Sequence, residues 1–213
     1  MEGKLIVFEG VEGAGKTTQI QRLQEWLHLP SVIPLSVIVT REPGGTELGW
    51  KLRQLLLQTE GKQIEDRAEL LLYAADRAQH VEEVLKPQLA RSALILCDRY
   101  TDSTIAYQGY GRGFDLGLIE QINLIATGGL KSDLTLWLDI DVEQGLARAQ
   151  GRGRKDRMEQ AELAFHQRVQ QGYRELAKAE PQRIVRVDAS LSEVAVQEQI
   201  QAILRNFNFC FNP

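Results

Sequence analysis

The sequence is poor in the residues that hold structural metals or staple small secreted domains. Cys97 and Cys210 are the only cysteines in 213 residues, they form no C-x-x-C pair, and the three histidines are scattered along the chain. A zinc site or a disulfide framework needs several such residues at fixed spacing. We therefore interpret them as ordinary thiols and imidazoles, with metal binding as the weaker alternative.

Long hydrophobic runs and an excess of positive charge are also missing. The N-terminus reads MEGK followed by four apolar residues, which is too short for a signal-peptide core, and no later run reaches membrane-spanning length. The formal net charge is −4, so nucleic acids and anionic membranes are not expected partners. These absences predict a cytoplasmic protein whose cations, if it handles phosphates, are concentrated locally.

Short apolar runs alternate with longer amphipathic ones along the chain. Continuously apolar strands separated by helices indicate an α/β fold, a five-stranded parallel sheet with helices on both faces. We predict strands at 5–8, 35–40, 93–97, 134–138 and 183–187. The first predicted helix follows the first strand and ends near residue 29, and the others span 47–58, 65–90, 115–126, 142–150, 159–179 and 192–205.

One domain is predicted over residues 1–213, because no repeat or low-complexity linker divides the chain. Pro87 lies inside the long helix predicted at 65–90 and is expected to interrupt or kink it. Residues 150–157, QGRGRKDR, are basic, rich in glycine and flanked by helical patterns. We interpret them as part of a mobile basic lid over about 148–160.

Residues 10–17, GVEGAGKT, match the phosphate-binding pattern G-x-x-x-x-G-K-[ST] in full. The glycines let backbone N–H groups surround phosphate oxygens, and the helix that follows adds its positive N-terminal end. Lys16 is expected to reach the β- and γ-phosphates of a bound nucleotide, and the Thr17 hydroxyl to coordinate Mg²⁺. An incidental glycine turn is the weaker interpretation, since the motif follows a buried strand. The predicted ATP-binding residues are Gly10, Val11, Glu12, Gly13, Ala14, Gly15, Lys16, Thr17 and Thr18.

Two further strands present an arginine at the same edge of the predicted sheet. Arg41 ends the second strand, in the run TREPGGT at 40–46, and Arg99 follows the third. Ligands of open α/β sheets bind beyond the carboxyl ends of the strands, and a guanidinium binds phosphate with two charge-assisted hydrogen bonds. Either arginine alone is equally consistent with a surface ion pair, but two beside a P-loop favour function. Asp98 is placed to act on Mg²⁺, with capping of a helix near Thr101 as the alternative.

With these segments assembled, the chain resembles the thymidylate kinase family over most of its length. The resemblance is carried by residues 8–18, 40–46, 73–77 (YAADR), 98–100 (DRY), 106–109 (AYQG) and 156–159 (DRME). It implies a P-loop nucleoside monophosphate kinase fold. It also implies phosphorylation of dTMP to dTDP with Mg·ATP, in dTTP biosynthesis, by a homodimer.

The resemblance further implies that Arg41 and Arg99 hold the dTMP phosphate and that Glu12 contacts the 3′-OH of the deoxyribose. Tyr107 would pack under the sugar, where a ribose 2′-OH would intrude. The alternative for Tyr107 is core packing.

For the base, the resemblance implies that Arg77 hydrogen-bonds to thymine and that Tyr73 stacks on it. The family more usually has phenylalanine at position 73, and core packing is again the alternative for Tyr73. The remaining predicted substrate residues are Pro43, Ser103, Thr104 and Gln108.

Phosphoryl transfer needs in-line positioning and neutralised charge, and no general base, because the acceptor oxygen is already ionised. Some family members place an arginine directly after the acidic P-loop residue, where this chain has Gly13. The lid is therefore expected to supply the cation, although basic runs are often merely solvated. The predicted catalytic residues are Lys16, Glu12, Arg99, Arg152 and Arg157, with Arg152 the first choice as arginine finger. A kinase for another nucleotide, or an ATP-binding switch without an acceptor, remains the alternative.

Overall fold

The computed structural model describes residues 3–29, 36–58, 64–150, 157–158 and 160–207. Five strands form one parallel sheet in the order β2-β3-β1-β4-β5. The fold class predicted from the alternating apolar runs is therefore confirmed. The strands are β1 Lys4–Glu9, β2 Val37–Arg41, β3 Leu94–Asp98, β4 Leu134–Asp139 and β5 Ile184–Asp188.

The helices lie close to the predicted ranges, and several begin at a side-chain cap. Thr46 accepts a hydrogen bond from the Gly49 N–H at 2.9 Å, and Asp115 accepts one from Leu118 at 2.9 Å. The α-helices are α1 Lys16–Leu27, α2 Glu47–Leu57, α3 Asp66–His80, α4 Lys86–Ala90, α5 Thr101–Thr104, α6 Leu116–Thr127, α7 Val142–Gln150, α8 Leu163–Ala179 and α9 Glu193–Asn206.

The long helix predicted at 65–90 changes type before Pro87. A π-helical stretch, Val81–Leu85, joins α3 to α4, and the Lys86 N–H donates to the Val81 carbonyl five residues back. Proline has no N–H to donate and crowds the carbonyl of the fourth residue before it. The wider π turn lies where the regular hydrogen-bond ladder is interrupted, and Pro87 then takes its place in the first turn of α4.

One helical segment was not predicted from the sequence. After α5 the chain continues as a second π-helical stretch, Ile105–Gly111. Glycine is a poor helix former, so this glycine-containing run carries a weak helical signal. Its packing explains the glycines: a Cβ on Gly111 would lie 2.7 Å from the ring of Phe165, on α8. Close contact with α8 therefore stabilises a helix that local propensity does not predict.

The central strand β1 contributes to hydrophobic cores on both faces of the sheet. Ile6 and Phe8 belong to the larger cluster, while Leu5 and Val7 belong to a smaller one with Val81 and others. All four strand residues are fully buried, which explains why β1 reads as a continuous apolar run. Among the described residues, no helix combines the length and the apolar character that a bilayer crossing requires.

Candidate active site

The P-loop connects β1 to α1 at the carboxyl edge of the sheet. Gly10, Gly13 and Gly15 all have positive φ angles, of 141°, 73° and 93°. The ammonium of Lys16 donates to the carbonyls of Gly10 and Val11, at 3.0 and 3.3 Å. Burial and then the charge of Arg99 lower the pKa of Lys16, although three carboxylates oppose this. The Lys16 ammonium is thus held inside the loop by two backbone carbonyls.

The ends of three neighbouring strands lie in register beside this loop. Asp98 is the Cα partner of both Phe8 and Arg41. Arg41 and Asp98 form a loose ion pair at 3.6 Å, in which the arginine side chain is 45% exposed. The strand ends predicted to share one edge of the sheet therefore do so, and the surface ion pair considered for Arg41 is also present.

Asp98 does not cap the helix that follows, because Tyr100 occupies the N-cap position and makes no side-chain cap. Its Oδ1 atom is buried without a hydrogen-bond partner among the described residues, and Thr17 lines the same pocket. The same residues contain no cluster of three acidic, histidine or cysteine side chains that could hold a metal. Mg²⁺ commonly uses one or two protein oxygens and completes its shell with water and phosphate. The pair Thr17 and Asp98 fits that pattern.

Glu12, Arg99 and Tyr107 form one cluster above the P-loop. Arg99 Nη2 donates to Glu12 at 2.8 Å, the Tyr107 hydroxyl donates to the other carboxylate oxygen, and the guanidinium lies 4.9 Å from the centre of the Tyr107 ring. Burial acts to raise the pKa of Glu12, but the charges of Arg99 and Lys16 outweigh it and the pKa is lowered. The carboxylate is therefore ionised and immobilised at the position predicted to contact the sugar.

Glu9 supports Arg99 from below and was not predicted from the sequence. Arg99 has a positive φ of 72°, which is unusual for a residue with a side chain. The buried Glu9 carboxylate accepts hydrogen bonds from the N–H groups of Tyr100 and Ser103, from the Ser103 hydroxyl and from the Tyr173 hydroxyl. Four bonds to one carboxylate fix the turn that carries Arg99.

Arg77 lies at the base end of the pocket and is almost fully enclosed. It is 2% exposed and donates to Glu42 and Thr104 at 2.8 Å each, to Asn123 at 2.8 Å and to the Tyr100 carbonyl at 2.9 Å. These contacts use four of the five N–H groups of the guanidinium. Arg77 is therefore rigidly positioned, and one N–H, on Nη2, has no partner among the described residues.

A single pocket joins the P-loop to the predicted second-substrate residues. It is lined by all nine residues predicted from the resemblance to bind substrate, Arg41, Pro43, Tyr73, Arg77, Arg99, Ser103, Thr104, Tyr107 and Gln108. Tyr107 is also 5% exposed and packs edge-on against Phe165 and Tyr173. Tyr107 therefore both packs in the core and lines the pocket.

Other pocket residues were missed. Arg53 lines the pocket from α2 and donates to the Pro43 carbonyl at 3.0 Å. It lies one helical turn after Gly49, which is buried, so helical periodicity could have identified it. Glu42 lies in the run at 40–46, but its contacts with Arg77 and His80 could not be predicted, because a charged residue after a strand is normally exposed.

A second pocket lies on the other side of the P-loop. It shares Gly13 and Gly15 with the first and extends to Gln19, Arg148 and Ser192. The Arg148 guanidinium is fixed by the Ala189 and Ser190 carbonyls, at 2.9 and 3.4 Å. The P-loop therefore borders two pockets, one on each side.

The structure describes only the two ends of the predicted lid, 148–150 at one end and 157–158 and 160 at the other. Arg152, Arg154 and Lys155 lie outside the described residues. Arg157 donates to the Leu56 carbonyl at 2.8 Å and to Glu69 at 2.5 Å, so it is bonded to α2 and α3.

Comparisons with known proteins agree with this geometry. A family model described as thymidylate kinase matches residues 8–200. The thymidylate kinase of Nostoc punctiforme is 66% identical over 207 residues, covering 96% of this chain and 97% of that protein. The thymidylate kinase of Trichodesmium erythraeum is 62% identical over 216 residues, covering 96% of both. A crystal structure of thymidylate kinase from Ehrlichia chaffeensis is similar with a TM-score of 0.77 and 32% identity, covering 96% of this chain and 100% of that one.

Proposed function

The chain belongs to the thymidylate kinase family, and we propose that its pocket transfers the γ-phosphoryl group of Mg·ATP to dTMP. One observation carries the proposal. The pocket that contains Lys16 and Thr17 of the P-loop also contains Arg41 and Arg99, two cations that the binding of ATP by a P-loop does not by itself require. A second anionic substrate explains them.

On the acceptor side, Arg41 and Arg99 bind the dTMP phosphate. Arg41 is accessible, and Arg99 is fixed by Glu12 and Ser103. Glu12 accepts a hydrogen bond from the sugar 3′-OH, and the Tyr107 ring lies beside it. Because these groups are held before substrate arrives, little reorganisation is needed to place the acceptor oxygen for in-line attack.

On the donor side, the P-loop backbone and Lys16 bind the triphosphate, and the second pocket takes the adenosine. Thr17 and Asp98 are the protein groups that hold Mg²⁺. The bound ion supplies Lewis-acid stabilisation of charge on the phosphate oxygens.

ATP is a cytoplasmic metabolite in bacteria, so the cytoplasm remains the proposed compartment.

Measurement of ADP release with and without dTMP tests the function. The proposal requires ADP in the presence of dTMP and little in its absence. Release with a different monophosphate only would indicate another nucleotide kinase, and release without an acceptor would indicate an ATP-hydrolysing switch. Lys16→Met serves as the inactive control, since losing one preorganised charge lowers kcat by at least about a hundredfold.

We also propose a homodimer through α2, α3 and α6, which pack side by side in that order. They expose Trp50, Leu71, Leu124 and Ile125, at 58%, 54%, 62% and 82%. Exposed apolar surface on adjacent helices favours an interface. Sedimentation should show a dimer that Ile125→Asp weakens, whereas Val194→Asp, an equally apolar exposed position on α9, should leave it intact.

A further inference from the structure

Glu69 is a buried carboxylate on α3 for which the proposed reaction has no direct use. It is fully buried, and its two oxygens face different groups. Oε1 accepts a hydrogen bond from Gln108 Nε2 at 2.8 Å, with Arg112 Nε at 3.4 Å. Oε2 accepts from Arg112 Nη2 at 3.2 Å and from Arg157 Nη2 at 2.5 Å. Donors therefore surround both oxygens, and both guanidinium Nη2 groups face Oε2.

The protonation state of Glu69 decides what Gln108 can do. Burial acts to raise the pKa of Glu69, but the hydrogen bond from Gln108 and the charges of Arg112 and Arg157 together lower it. The carboxylate is therefore ionised at neutral pH and can only accept hydrogen bonds. Gln108 must then direct its amide nitrogen, and not its oxygen, at Glu69.

The consequence appears on the pocket side of the same amide. Gln108 is 2% exposed and lines the pocket. Its side-chain oxygen accepts no hydrogen bond from the described part of the chain. The oxygen is not among the fully buried polar atoms that lack a partner, so water or a ligand in the pocket can donate a hydrogen bond to it. By binding the Gln108 NH₂ group, Glu69 thus leaves the Gln108 side-chain oxygen to accept a hydrogen bond from a ligand in the pocket.

Arg77 supplies a donor to the same pocket, which it lines together with Gln108. Its Nη1 donates both N–H groups, to Thr104 and Asn123, so the N–H that is left for a ligand is on Nη2, which also donates to the Tyr100 carbonyl. A donor and an acceptor in one pocket match the O4 and N3–H edge that thymine and uracil share. Cytosine presents the reverse, an amino donor beside an unprotonated N3.

We propose that Glu69 is a positioning residue that sets base selectivity by fixing the orientation of the Gln108 amide. It makes the pocket complementary to a pyrimidine with a protonated N3 and mismatched to cytosine. This inference rests on the proposed function, since it assigns the base of the nucleotide acceptor to the Arg77 end of the pocket.

The isosteric change Glu69→Gln inverts this arrangement. The single oxygen of the new side chain takes the Oε2 position, because two guanidinium Nη2 groups face it there. Its NH₂ group then takes the Oε1 position and faces Gln108. Gln108 responds by turning its oxygen towards position 69, which presents its NH₂ group to the pocket. A donor then replaces the acceptor at the base.

The test measures dissociation constants by calorimetry and kcat/KM for dTMP, dUMP and dCMP, in the wild type, Glu69→Gln and the surface control Glu82→Gln. In Glu69→Gln the preference for dTMP over dCMP should fall by at least about tenfold, the scale of one exchanged hydrogen bond. The dTMP and dUMP values should fall in parallel, since the two bases share this edge. The control Glu82 is exposed and pairs with Lys86, so its ratios should not change.

Equal losses for all three nucleotides would reduce Glu69 to a structural role and overturn the inference. A wild type that prefers dTMP in calorimetry but transfers no phosphoryl group would refute the proposed function, and the dissociation constants would still decide the inference. If Glu69→Gln does not fold, hydrogen exchange of the Gln108 side-chain NH₂ group in the wild type tests its bond to Glu69. The Gln108 side-chain NH₂ signal, identified by its loss in Gln108→Leu, should exchange slowly, and fast exchange would contradict the bond to Glu69.

Discussion

Gly13 of the P-loop and Gly145 of α7 are packed so closely that neither position has room for a side chain. A Cβ on Gly13 would lie 1.8 Å from the Gly145 carbonyl oxygen, and a Cβ on Gly145 would lie 2.5 Å from the Glu12 carbonyl oxygen. The φ angle of Gly13 is also positive, at 73°. The P-loop arginine of some family members is therefore excluded in this chain by the position of α7.

Gly13→Ala should consequently weaken ATP binding and lower the melting temperature. Gly113→Ala is a matched control, because Gly113 has a φ of 81° but open space around its Cβ position. Positive-φ strain alone costs about 1–2 kcal/mol, and Gly13→Ala adds a clash with backbone atoms. Thermal unfolding and ATP titration compare the two variants. Equal losses of stability would mean that α7 yields easily and that the contact does not exclude a side chain.

The sheet could be predicted because its signal is local. A strand buried on both faces reads as a continuous apolar run, as residues 5–8 of β1 do, and the P-loop requires fixed residues in sequence order. The Ile105–Gly111 helix could not be predicted, since contact with Phe165 and α8 stabilises it. Local patterns do not contain that information.

The same limit applies to the supporting carboxylates of the site. Glu9, Glu42 and Glu69 are 0–3% exposed, and each holds a side chain of the substrate site. In the sequence they are three of many acidic residues, which are usually exposed. Only their distant partners, 35 to 164 residues away along the chain, reveal their role. Residues that contact a ligand can be predicted by motif, whereas the residues that orient them cannot.

Asp76 gives a pH-dependent prediction. It is 1% exposed, accepts a hydrogen bond from the Gly44 N–H at 3.0 Å, and its Oδ2 has no partner among the described residues. Burial and then the charge of Glu42 raise its pKa to about 6. The folded protein therefore binds more protons than the unfolded chain between about pH 4 and pH 6, so this group lowers stability as pH rises, by up to about 3 kcal/mol.

Asp76→Asn should remove that loss and increase the free energy of unfolding at neutral pH. Denaturant unfolding of both proteins across this range measures it. Asp188→Asn is a control of opposite sign, because hydrogen bonds from Ser190 lower the pKa of Asp188. Parallel stability curves for the wild type and Asp76→Asn would show that Asp76 titrates normally.

Tyr107 is predicted to set the preference for deoxyribose through its ring. Tyr107→Ala should narrow the ratio of kcat/KM between dTMP and its ribonucleotide by about tenfold, the scale of one excluded group in a pocket. Tyr107→Phe keeps the ring and removes only the hydroxyl that donates to Glu12. It should lower both kcat/KM values and leave their ratio unchanged. A ratio that changes in the Phe variant would assign the selectivity to the hydroxyl.

The last prediction concerns the source of the arginine finger. With position 13 closed to side chains, cationic help at the γ-phosphoryl group has to come from elsewhere, and the lid remains the predicted source. Arg152 is our first choice, and Arg157 is the second. Arg157 has two contacts, with Leu56 and Glu69, that it must give up before it can act as a finger.

The two arginines should therefore give different results when each is changed to alanine. Arg152→Ala should lower kcat by about a hundredfold or more with nearly unchanged dissociation constants for ATP and dTMP, because a finger acts mainly in the reacting state. If Arg157 is a finger, Arg157→Ala will behave in the same way. If it only holds Glu69, Arg157→Ala will keep kcat for dTMP and the preference for dTMP over dCMP, because Gln108 and Arg112 still donate to the Glu69 carboxylate. Native kcat in both variants would exclude Arg152 and Arg157 as the finger.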